Sequence, residues 1–273
     1  MAKHAKKPRK KREQPWLAAA RERLKRKPQE REDFIIAKAF LELVGPGLAD
    51  ASDEEIPAVV EMGKMAWNLP MLHALSVEPG SEGAAVRDEV EAWLACAPED
   101  RVAIAPLAQA RVELYSDLCR PILQVFGEPS TLGVRIGHEE VPDSALLPIG
   151  DDGWPSASGS LLALSEPARA PLAGDEDEAS LGVALEMTML AWNLHTIELP
   201  GADVPSALRE RLHELKRFLD ASAPALRATS DAMIAARRTR FGYDPRLFQI
   251  KSLDVEDDEI RLEVAAVDVT RRA

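Results

Sequence analysis

Glu61 and Asn68 stand seven positions apart in EMGKMAWNL (61–69), and Glu186 and Asn193 repeat them in EMTMLAWNL (186–194), 125 positions later. Seven residues are two helical turns, so each Glu–Asn pair lies along one side of a helix. A carboxylate offers acceptors and a charge; a carboxamide offers both donors and acceptors. If the two pairs face each other, Glu61, Asn68, Glu186 and Asn193 line a polar groove between the two copies. If they do not, each set satisfies backbone groups or the indole N–H of the neighbouring tryptophan. Asparagine is no general base at neutral pH, so the repeated set lacks the acid–base pair that proton-transfer chemistry requires.

Other chemistry is sparse. The chain has no phosphate-cradling Gly-x-x-x-x-Gly-Lys, no dinucleotide Gly-x-Gly-x-x-Gly and no His-Glu-x-x-His. Cys96 and Cys119 are too few for a structural zinc site or a disulfide framework. The five histidines (His4, His73, His138, His195, His213) form no ligand or catalytic spacing. GDDGW (150–154) and DVEDDE (254–259) read as turns rather than calcium loops, and SASGS (156–160) lacks the setting of an esterase serine. No cofactor, metal or catalytic residue is expected. The alternative is an enzyme whose site lies between the repeats around the four Glu and Asn residues.

Charge is the strongest functional lead. Residues 1–32 carry a net charge of +9 and the rest of the chain −21. Lys6, Lys7, Arg9, Lys10, Lys11 and Arg12 form one basic cluster, and Lys25, Arg26 and Lys27 close a second. Such an arm makes sequence-independent contacts to phosphates and orders on binding. Residues 1–28 are therefore expected to engage nucleic acid or a ribonucleoprotein; the alternatives are a solubilising tail with no dedicated partner, an acidic protein or anionic lipid, and docking onto the acidic body itself. No apolar signal segment follows the basic start and no run reaches the length of a membrane span, so the expectation is a soluble, cytoplasmic protein away from membranes. The sequence leaves the oligomeric state open.

These residues need elements to position them. Disorder is expected over 1–14, then a short amphipathic helix opened by Pro15, with Trp16, Leu17, Ala20 and Leu24 on one face. A helix over 33–44 is expected to stop at Gly45-Pro46-Gly47, and Ser52 with Glu55 forms a capping box for the next. In 62–69, Met62, Met65, Ala66 and Leu69 trace a single buried face. Two further helices and a hairpin around 121–137 follow. Residues 138–180 hold five prolines, four glycines and ten acidic residues, and read as an extended linker. Beyond it the order returns: an Ala-Trp-Asn-Leu helix, two helices, and a hairpin in which Ile260, Leu262 and Val264 alternate.

The approach to each hairpin echoes too, with Tyr115, Asp117, Arg120 and Gln124 in the first half and Tyr243, Asp244, Arg246 and Gln249 in the second. A carboxylate and guanidinium there form either a local ion pair that fixes the helix-to-strand corner or a fork for an anionic group. The fold class expected is α+β, predominantly helical: a basic arm (1–32), a first repeat (33–137), an acidic linker (138–180) and a second repeat (181–273). Each repeat has about three helices followed by a β-hairpin, and the two hairpins could join into one sheet. The function expected is that of a non-catalytic interaction or adaptor protein.

Overall fold

The computed structural model describes residues 28–95, 98–128, 132–172, 178–199, 204–256 and 259–267. All nine arm residues from Lys6 to Lys27 lie outside them, as do the short helix expected after Pro15 and Cys96. Among the described residues the chain is α+β, with eight α-helices and two antiparallel hairpins.

Helix α1 (Pro28–Asp50) buries Ile36, Ala39, Phe40, Leu43 and Val44, the spacing of one helical stripe. It does not stop at Gly45-Pro46-Gly47. Pro46 costs an N–H, but Pro46 and Glu42, whose carbonyl loses that donor, both sit on the exposed side where water can substitute. Leu48 packs onto the core beyond the proline and holds the last turns in place. Helix α2 (Ile56–Asn68) forms only half of the expected box: its N-cap is Glu55 with no side-chain cap bond, and the Ser52 N–H and hydroxyl both donate to one carboxylate oxygen of Glu55, at 2.9 and 2.8 Å. It crosses α1 closely at Gly63, where a Cβ would come within 2.2 Å of Val44 Cγ1. A 3-10 turn (Leu69–Ala74) continues past Pro70.

Helix α3 (Glu82–Leu94) is capped by Ser81, whose hydroxyl accepts from the Ala84 N–H at 3.0 Å, and α4 (Pro98–Leu114) follows. Strands β1 (Ile122–Phe126) and β2 (Gly133–Ile136) pair Ile122 with Ile136 and Val125 with Val134. The segment 138–180 is no extended linker. It contains α5 (Ala157–Leu172), which buries Leu161 and Leu164 against Trp192. Its prolines bracket the helix rather than prevent it: Pro155 sits just before the first turn, and Pro167 and Pro171 fall in the last two. Helices α6 (Glu178–Glu198), α7 (Ser206–Asp220) and α8 (Pro224–Arg240) lead to β3 (Leu247–Glu256) and β4 (Glu259–Val267). Leu262 and Val264 pack with Ile250 beside Trp192, as the alternation requires. The two hairpins remain separate two-stranded sheets, because each is drawn onto its own Trp-Asn-Leu helix.

The largest core gathers α1, α2, α3, α4 and the first hairpin, and smaller apolar clusters surround α6. The two regions meet along a seam. There the Leu147 N–H donates to Pro70 O at 2.9 Å, His73 stacks on Phe241, and the Arg87 guanidinium bridges Leu72 O and Thr239 O, both at 2.8 Å.

Candidate functional site

The repeated phrase makes the same contacts twice. Trp67 is fully buried and its indole N–H donates to Arg120 O at 3.0 Å; Trp192, equally buried, donates to Arg246 O at 2.8 Å. Asn68 clasps the backbone of Ile122, giving its Nδ2 to the carbonyl at 2.8 Å and taking the N–H at 2.9 Å. Asn193 clasps Phe248 in the same way, at 2.9 and 2.9 Å. A carboxamide is suited to this because it pairs a donor and an acceptor side by side, as a neighbouring strand would. Both asparagines thus start a strand.

Each tryptophan also carries an arginine that the sequence pattern did not single out. The Arg111 guanidinium lies 4.1 Å from the Trp67 ring centre and donates to Tyr115 O and Leu118 O. Arg237 lies 3.9 Å from the Trp192 ring centre and donates to Phe241 O and Asp244 O. Both side chains are fully buried, and burial pulls both guanidinium groups down to about 10, which leaves them charged at neutral pH. An aromatic face and converging carbonyls hold each buried cation, and the buried Asp244 carboxylate also favours the charged form of Arg237. The signal was present in the sequence: Ala110-Arg111 and Ala236-Arg237 each precede an aromatic residue, Tyr115 and Phe241, by four positions.

The corner echoes are only partly alike. Arg246 pairs with Asp244 at 2.6 Å, the local ion pair expected, and with Asp152 at 3.3 Å. Arg120 ignores the exposed Asp117 and pairs with Glu32 at 2.8 Å and Glu140 at 3.6 Å. Gln124 stands two residues beyond the clasped Ile122, across a register shift in β1, whereas Gln249 stands one beyond Phe248, and both are exposed.

The four groove candidates are not brought to one opening. Asn68 and Asn193 are buried, each against its own strand, while Glu61 and Glu186 are exposed. Glu61 lies 3.9 Å from the buried Lys64, which also pairs with Glu89. Partial desolvation raises the Glu61 carboxyl above its ordinary value, against the pull of Lys64.

A different opening lies along the seam. A cleft of about 960 Å³ is bounded by the 3-10 turn and the segment after it, by residues 142–148, by the first turns of α5, and by Arg240 at the end of α8. His73 is 2% exposed in its wall, and neither ring nitrogen has a hydrogen-bond partner among the described residues. Its ring lies 5.2 Å from that of Phe241, nearly parallel, and its carbonyl accepts from Arg240 Nε at 3.2 Å. No family model, curated protein or solved structure matches this chain. The chemistry of the seam therefore stands on its own residues. Among the described residues no group of three or more His, Cys, Asp or Glu is placed to hold a metal ion, and no helix is long and apolar enough to cross a membrane.

Burial, with Arg240 and Arg87 nearby, pushes His73 down to about 3. An unfolded histidine titrates near 6.5, so from about pH 6.5 down to 3 the unfolded chain takes up a proton that the folded chain refuses. This group stabilises the fold fully above pH 6.5, and that contribution is lost as the pH falls through the window. His73→Phe keeps a ring on Phe241 and forfeits no hydrogen bond. At pH 7 its stability should stay within about 1.5 kcal/mol of the parent. At pH 5 it should gain about 2 kcal/mol relative to its own pH 7 difference, read by urea unfolding at both pH values.

Proposed function

We propose that this chain is a non-catalytic interaction protein, with a body built by duplication of one helix–hairpin unit and a basic arm that engages nucleic acid or a ribonucleoprotein. The observation that carries the reading is the inward turn of the recurring tryptophans, asparagines and arginines, while the recurring Glu61 and Glu186 stay exposed. Both indole N–H groups, both carboxamides and both stacked arginines are taken up by the backbone of their own half. These recurring buried groups hold shape, and recognition falls to the surface and the arm. The duplication is supported by matching contacts at nearly constant offsets: Trp67 with Trp192 and Asn68 with Asn193 at 125, Arg111 with Arg237 and Ile122 with Phe248 at 126. One residue of difference between the clasping helix and the clasped strand is a single insertion in the second copy.

The arm supplies attraction of a kind its partner's salt dependence reveals. Each duplex phosphate neutralised contributes about −0.9 to the slope of log affinity against log salt. The full chain should bind duplex DNA or structured RNA at low salt with a slope of several units, and deletion of residues 1–27 should remove most of both affinity and slope. Pull-downs from the native host, with and without nuclease, then separate a nucleic-acid partner from a protein. Equal binding by the truncated and full chains, or no binding by the full chain at low salt, defeats the reading.

A further inference from the structure

The wall of the seam cleft changes character with depth. Its rim carries Glu78 and Glu166, both exposed. Its inner wall is apolar, with Leu146 and Leu147 buried and Leu162 half-buried. Set into that apolar wall are three features of one electrical sign or of none. Arg240 lines the cleft, uses its Nε on the His73 carbonyl, and makes no ion pair with a carboxylate among the described residues. The first turn of α5 enters through Ser156, Ser158 and Gly159, and the leading N–H groups of a helix have no intrahelical acceptors and carry partial positive charge. Ser156 takes the Gly159 N–H at 3.1 Å, which caps the helix where its first turn lines the cleft. His73 adds a buried imidazole with both nitrogens unpartnered, an uncommon cost inside a protein unless something completes it.

We propose that the seam cleft binds a small organic anion: Arg240, His73 and the first turn of α5 hold its carboxylate or phosphate head, and Leu146, Leu147 and Leu162 carry its apolar body. The guanidinium supplies a planar fork of donors that matches either head. The helix terminus adds backbone N–H groups, as it does in many anion sites. Burial first, and then Arg240 and Arg87, depress His73, so its imidazole stays neutral beside the anionic head. The acids at the rim disfavour a second anionic group farther along the ligand, which selects a single anionic head on an apolar body over a polyanion. The size is right for an organic ligand of this kind, since pockets of 300–1,000 Å³ are typical. This site does not depend on the basic arm, and either can be right without the other.

The test titrates the full-length chain with hexanoate, hexyl phosphate and hexylammonium at constant ionic strength. Binding is followed by calorimetry and by the NMR signals of the His73 ring and the Ser158 amide. The expected result is saturable binding of at least one of the two anions with shifts centred on the cleft, and at least tenfold weaker binding of hexylammonium. The tighter of the two anions identifies the head as carboxylate or phosphate. Arg240→Gln should weaken the preferred anion about tenfold, the scale of one charge-assisted fork. Ser158→Glu, which sets a carboxylate at the helix opening, should abolish binding in a chain whose folding is checked by circular dichroism. No saturable shift from either anion, equal binding of the ammonium probe, or binding that survives either substitution within twofold overturns the proposal. Loss of nucleic-acid binding on arm deletion is measured separately and bears only on the adaptor reading.

Discussion

Trp67→Ala and Trp192→Ala should each lower the stability of the folded chain by about 3–5 kcal/mol, the range for truncating a large buried aromatic residue. Each tryptophan is fully buried and does three jobs at once. It fills the core beneath its hairpin, its indole N–H takes the carbonyl at the helix-to-strand corner, and its ring face receives a buried guanidinium. Removal leaves a cavity, a corner carbonyl without its indole donor (Arg120 O, or Arg246 O, which keeps only the Thr196 hydroxyl), and an arginine stripped of its aromatic support. The third loss matters most for the sign, because a buried cation without compensation costs far more than a neutral group. Trp→Phe at the same positions keeps a ring under the arginine and removes the N–H, so it should cost roughly 1–3 kcal/mol. Urea unfolding followed by circular dichroism reads all four variants. A cost under 1 kcal/mol for either alanine variant would place that tryptophan outside the core.

Much of this assembly was legible in the chain, and the reason is periodicity. Met65, Ala66 and Leu69 share the buried face that their spacing announces, although Met62 at its edge is only half-buried. The β3–β4 alternation is a local pattern whose physics lies within a few residues, whereas of the Ser52–Glu55 box only the Glu55 carboxylate reaching back to the Ser52 N–H forms. Features decided by distant contacts were not legible. Helix α1 outlasts Gly45-Pro46-Gly47 because Leu48 finds the core and the lost hydrogen bond faces solvent. Helix α5 forms inside an acidic, proline-marked stretch because Leu161 and Leu164 close over Trp192, whose identity as a core residue belongs to another helix. The seam cleft depends on His73 and Arg240, 167 positions apart and unremarkable in their own surroundings. The Glu–Asn pattern was visible but ambiguous. Residue spacing places Asn68 on a helix side without saying whether a strand or a groove lies opposite.

That opposite partner makes the asparagines the most direct probe of the fold. Asn68→Asp and Asn193→Asp should each cost about 3–5 kcal/mol at pH 7, the penalty for leaving a buried charge uncompensated. The shapes of the two side chains are nearly identical, so packing is unchanged and the loss is electrical. Where Nδ2 donated to Ile122 O or Phe248 O, an ionised carboxylate would set oxygen against oxygen at hydrogen-bond distance, in the interior. The introduced carboxyl escapes by holding its proton, which it can then donate to that same carbonyl while its other oxygen still accepts the strand N–H. Its folded pKa is therefore raised above the ordinary aspartate value near 3.9. The sign follows: the variant keeps its stability below about pH 4, where both states are protonated, and loses it as the pH rises through the raised folded value. Parent and variant should thus converge on acidification and diverge toward neutrality, opposite in direction to the acid loss expected from His73. Unfolding midpoints at pH 4, 5.5 and 7 for the parent and each variant test this. A pH-independent loss would mean that the carboxamide donates nothing to the strand. No loss at all would return Asn68 and Asn193 to the surface, free to bind.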